Sequence, residues 1–115
     1  MKLSKEEAEK WKKLYERFDL TKVKDEILEN EEEMKRFAVV LAVLEFHATQ
    51  GKMPTEAETE ERAEELYIHL LFEKLKREGY VNVIYTEDKR RILKASLTEK
   101  GVEHALKIIS KEGGK

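Results

Sequence analysis

The feature that most restricts this chain is a change of hydrophobic period at Gly79. Before it, Ala63, Leu66, Tyr67, Leu70, Leu71 and Leu75 recur three and four residues apart, the stripe of an amphipathic helix. After it the period becomes two. "YVNVIY" sets Tyr80, Asn82 and Ile84 on one face and Val81, Val83 and Tyr85 on the other. "RRILKASL" sets Arg91, Leu93, Ala95 and Leu97 against Arg90, Ile92, Lys94 and Ser96. "TEDK" between the two runs has turn composition, so the pair predicts a β-hairpin. Gly79 between them is a natural helix C-cap.

The rest of the chain reads as helix. Ser4 and Glu7 form a capping-box pair, and Ala8, Trp11, Tyr15 and Phe18 follow at helical spacing. A break is predicted at Asp19 to Thr21, then a short helix carrying Val23, Ile27 and Leu28. Asn30 followed by three glutamates opens a third helix, with acids near its positive end. Its stripe of Met34, Phe37, Ala38, Leu41, Ala42 and Leu44 is widened by Val39, Val40, Val43 and Phe46, which predicts a central helix packed on several sides. Gly51 ends it. Thr55 and Glu58 form a second capping box. Residues 55–78 are then either one long helix or two joined near Thr59 to Arg62. Thr98 opens a last helix, with Val102, Ala105, Leu106 and Ile109 predicted to be buried. The expected architecture is mainly α with a small β-hairpin: a winged-helix domain with extra N-terminal and C-terminal helices. One domain is expected over 1–115, with N-terminal helices at 1–30, the winged-helix core at 31–97 and the C-terminal helix at 98–111.

At this point the sequence resembles the multiple-antibiotic-resistance regulator (MarR-like) family. The likeness rests on "KRRILKASLTEKG", a wing-type arginine pair, alternating strand residues, then Leu97, Thr98 and Gly101 as Leu-Thr-x-x-Gly. "FEKLKREGYV" resembles the end of that family's recognition helix, and the likeness covers roughly residues 63–109. It implies a DNA-binding transcription regulator acting as a homodimer. Arg90 and Arg91 would reach the minor groove or flanking phosphates, helped by Lys89 and Lys94, with Lys76 and Arg77 extending the patch. It also implies a dimer joined through terminal helices, here Trp11, Tyr15 and Phe18 with Val102, Leu106 and Ile109.

Charge supplies a second reading. The net formal charge is −2, so the global positive field of many nucleic-acid binders is absent. Locally the chain is polarised: residues 56–65 carry −5 and residues 74–94 carry +4. Glutamates on the outward side of the helix before the wing oppose phosphate, whose neutralisation dominates DNA affinity. Aligned on Gly79, that outward side comprises Glu61, Glu64, Glu65, His69, Glu73 and Lys76. The alternative is a winged-helix protein-interaction module, docking a basic partner on the acidic face Glu56–Glu65.

Other chemistry finds little support. There is no cysteine, which removes disulfides and thiolate sites. Glu65, His69 and Glu73 follow at i, i+4, i+8, a spacing open to a metal, yet with no second cluster a salt-bridged surface is the better reading. No Ser–His–Asp order, phosphate loop or glycine fingerprint stands out, so neither enzyme nor cofactor is expected. The longest apolar run, "FAVVLAVL", is too short to span a bilayer, and the N-terminus has no signal-peptide stretch, which predicts a cytoplasmic protein. Charged residues are 42% of the chain, with one Gln and two Asn, a bias that suits a hyperthermophile.

Overall fold

The computed structural model describes residues 2–112. The protein is mainly helical with one two-stranded antiparallel hairpin. Helix α1 spans Lys5–Tyr15, α2 Asp25–Leu28, α3 Glu31–Gln50, α4 Glu56–Arg77 and α5 Glu99–Glu112, and the strands are β1 Val81–Tyr85 and β2 Ile92–Leu97.

The caps form as their residue types dictate. The Ser4 hydroxyl accepts the Glu7 N–H at 3.2 Å, Asn30 accepts that of Glu33 at 3.1 Å, and Thr55 accepts that of Glu58 at 3.1 Å. Each satisfies an orphan donor of the first helical turn. The predicted break after α1 is a 3-10 turn at Leu20–Lys22, capped by Asp19, whose carboxylate accepts the Thr21 N–H at 2.9 Å. Gly51 closes α3 at φ 61°, a left-handed conformation that glycine enters without a Cβ clash.

Residues 56–77 form one helix, so the two-helix alternative is excluded. At 22 residues it is about 33 Å long. The loop 51–55 turns the chain between α3 and α4, which pack on each other along their lengths. Ala38, Leu41 and Ala42 of α3 meet Ala63, Leu66 and Leu70 of α4 in the core, with Leu20, Leu28 and Met34 closing one end. As expected of a central helix, α3 packs against α1, α2 and α4, although Val39 and Val40 of its widened apolar surface stay 46% and 61% exposed.

In the hairpin Val81 pairs with Leu97, Val83 with Ala95 and Tyr85 with Ile92, with a bulge after Ile84. The turn is fixed by its own side chains. Thr86 donates to Asp88 at 2.7 Å, Asp88 accepts the Arg90 N–H at 3.1 Å, and Lys89 adopts φ 60°. The tip lies against the N-terminal segment, where the Leu20 N–H donates to the Lys89 carbonyl at 2.8 Å.

The last helix departs from expectation. Thr98 caps it, accepting the Gly101 N–H at 3.0 Å and donating to the Gly79 carbonyl at 2.5 Å. Gly101 is buried against the Tyr80 backbone, but Val102, Leu106 and Ile109 are 43%, 55% and 63% exposed. Only the first turns of α5 meet the body, where the His104 ring lies 5.0 Å from that of Tyr80. The apolar stripe beyond finds no partner surface among the described residues. No helix among them is long and apolar enough to cross a membrane.

Candidate functional site

The basic residues of the hairpin region fall into two groups. Lys76, Lys89 and Lys94 are exposed, with the Lys76 ammonium 5.5 Å from the centre of the Tyr85 ring. The three arginines are engaged inside the molecule. Arg91 pairs with Glu45 of α3 at 2.5 Å. Arg90 lies over the Tyr15 ring, 4.6 Å from its centre, and pairs with Asp88 at 3.2 Å. The Thr86 hydroxyl, then the Arg90 backbone N–H, hold the Asp88 carboxyl below its usual range. The hairpin therefore folds onto α1 and α3 through the side chains that were expected to face outward.

Arg77 is engaged most fully. Its guanidinium donates to Glu73 at 2.8 Å, to Asp25 at 2.8 Å, and to the carbonyls of Val23 and Thr21 at 2.7 and 3.1 Å. Glu73 is 1% exposed and also accepts the Tyr85 hydroxyl at 2.5 Å. Burial, then the bond to Glu73, pushes the Tyr85 hydroxyl well above its ordinary value. This network ties α4, β1 and the segment before α2 together. It was not anticipated, although the sequence carried a signal. Ala63, Leu66, Leu70, Glu73 and Arg77 continue one inward stripe at alternating steps of three and four, and Glu73 precedes Arg77 by one turn.

The same geometry corrects two further expectations. Glu65, His69 and Glu73 neither gather around a metal nor form an exposed ion-paired face: Glu65 pairs with Arg62 at 3.0 Å, Glu73 is buried, and His69 Nδ1 accepts the Ile92 N–H at 3.0 Å. No cluster of three metal-ligating side chains occurs among the described residues. His69 and Glu73 turn inward because the stripe of α4 drifts around the helix toward the hairpin. Tyr15 and Phe18, assigned to a dimer surface, belong to the body. Tyr15 is 8% exposed under Arg90, and Phe18 packs edge-on against Phe37 at 6.0 Å. The break at residues 16–24 folds both rings inward. Trp11 is half-buried, its ring 5.7 Å from that of His47, while Val102, Leu106 and Ile109 remain open.

The acidic segment has the opposite character. Glu58 is held by its cap and by Lys52 at 3.0 Å, and Glu65 by Arg62. The Thr55 backbone N–H, then Lys52, keep the Glu58 carboxyl below its usual range. Glu56, Glu60, Glu61 and Glu64 are exposed and form no ion pair among the described residues. Three of them, Glu56, Glu60 and Glu64, line an open groove of about 700 Å³ between α3 and α4. Its floor is apolar: Ala38, Val39, Pro54 and Ala63. Lys35 stands on the opposite wall, 3.7 Å from Glu31. The Tyr67 hydroxyl at the groove's end donates to Glu31 at 3.4 Å.

No family model, curated protein or solved structure matches this chain. The likeness of residues 63–109 to the MarR-like family gains no support from them.

Proposed function

We propose that this chain is a non-catalytic protein-interaction module that docks a basic partner on the acidic side of α4, Glu56–Glu65. The observation that carries the reading is an asymmetry of engagement. Arg77, Arg90 and Arg91 are bound by Glu73, Asp88 and Glu45, whereas Glu56, Glu60, Glu61 and Glu64 form no ion pair among the described residues. Withdrawing Arg77 to grip phosphate would leave the buried Glu73 carboxylate without a cation, and withdrawing Arg91 would leave Glu45 only the longer contact to Arg62 at 3.8 Å. Presenting an unpaired surface glutamate to a partner cation breaks nothing. The exposed stripe Val102, Leu106 and Ile109 supports the further expectation that two copies associate through α5.

DNA binding by a winged-helix regulator is the second reading, and Lys76, Lys89 and Lys94 favour it, being exposed on the hairpin side. In that reading these lysines, rather than the arginines, supply the phosphate contacts. One variant separates the two. Glu60→Lys, Glu61→Lys, Glu64→Lys and Glu65→Lys together should abolish binding to a lysine-rich peptide if the acidic face docks a partner, and should strengthen duplex DNA binding if the chain is a DNA-binding regulator. Tight, salt-dependent duplex binding by the unmodified chain would overturn the protein-docking reading. Sedimentation of the unmodified chain as a monomer at micromolar concentration would remove the dimer.

A further inference from the structure

We propose that the groove between α3 and α4 seats a basic amphipathic helix of a protein partner. The inference rests on the acidic face being a protein-docking surface, and it names the form of the docked segment. An acidic face alone would attract any cation, but this groove combines charge with an apolar floor. Ala38 and Ala63 are buried at its base with their small side chains, and Val39 beside them is 46% exposed. Small residues at the seam of two packed helices leave room for a third helix at an ordinary interaxial distance of about 8–10 Å. A third helix lying there would complete a three-helix layer and cover Val39.

Charge fixes the partner's composition. Glu56, Glu60 and Glu64 recur at i, i+4 and i+8 along α4, so their carboxylates rise by about 6 Å per step on one wall. A helix alongside presents side chains at the same interval. Lys or Arg four residues apart on one flank would meet them, while an apolar stripe enters the groove. Lys35 on the other wall is held only loosely by Glu31, so the partner's second flank is neutral or acidic. The occupant is thus a helix with one basic edge and one apolar edge. Nucleic acid and anionic membrane are repelled by the same three carboxylates.

The test uses the full chain and designed helical peptides of about 18 residues, five turns. The first has leucines at helical spacing flanked by lysines. A second keeps the lysines and replaces each leucine by glutamine. Fluorescence anisotropy should show the first binding at least about tenfold tighter than the second, with an affinity that falls as salt rises. Glu56→Gln, Glu60→Gln and Glu64→Gln together, all at exposed positions, should weaken it about tenfold and flatten the salt dependence. Val39→Asn should weaken it comparably while preserving the salt dependence. Equal binding of the two peptides would overturn the groove proposal and leave the acidic-face reading standing. Binding of neither would overturn both. Self-association of the chain that the triple variant dissolves would overturn the proposal by making a second copy the occupant.

Discussion

Arg77→Met should be among the most damaging conservative-volume changes in this protein. The side chain is 24% exposed, yet its guanidinium touches five groups on three segments. Without it Glu73, at 1% exposure, keeps only the Tyr85 hydroxyl as a donor, and the carbonyls of Val23 and Thr21 lose theirs. Breaking a buried pair by removing one member costs about 3–5 kcal/mol, because the remaining charge stays buried and uncompensated. At about 4 °C per kcal/mol for a chain of this size, the midpoint should fall by roughly 12–20 °C. The assay is thermal unfolding for the midpoint and denaturant unfolding, extrapolated linearly to water, for the free energy, each followed by circular dichroism and by Trp11 fluorescence. The double variant Glu73→Leu/Arg77→Met should recover much of the loss, since an apolar pair removes the desolvation cost together with the bond. A coupling of about 2 kcal/mol is expected from the cycle. The reasoning fails if Arg77→Met costs under about 1 kcal/mol, or if the double variant costs the sum of the singles.

His69 should give the fold an acid-sensitive component. Burial, then Arg91, holds its imidazole below the ordinary 6.5, while its Nδ1 accepts the Ile92 N–H. A depressed folded value means that the stability it contributes is full above about 6.5 and is lost as pH falls from there through the folded value. Unfolding midpoints measured between pH 7 and 5 should decline, and His69→Asn, which keeps an acceptor for Ile92, should flatten that slope. Arg91→Ala should destabilise the fold by about 1–3 kcal/mol, because Glu45 is 13% exposed and loses a charge-assisted bond. No change in unfolding free energy would mean that the hairpin stands away from α3 in solution. Gly101→Ala should cost about 1–3 kcal/mol, since a Cβ there meets the Tyr80 carbonyl oxygen and α5 must shift. An unaltered denaturation midpoint would refute that close approach.

Local order was readable wherever one residue type does one local job. Ser4, Asn30, Thr55 and Thr98 cap the helices that their spacing announced, and the period of two after Gly79 gave both strands. The site was less legible. A row of arginines at a hairpin tip carries the same letters whether it faces solvent or folds onto α1 and α3, because the sequence does not state what lies across from it. Glu45 and Tyr15, 46 and 75 residues before Arg91 and Arg90, decided that outcome.

Sequence alone thus determined the helices, the hairpin and the charge polarity of the chain, since capping, periodicity and composition act over a few residues. Tertiary structure decided which charges remain free. Packing turned Glu73, Arg77 and Arg91 inward into bonds with distant partners and left Glu56, Glu60 and Glu64 along an apolar groove. The physical reason is that the strength of an ion pair depends on burial and on the partner's position, and both are properties of the packed fold.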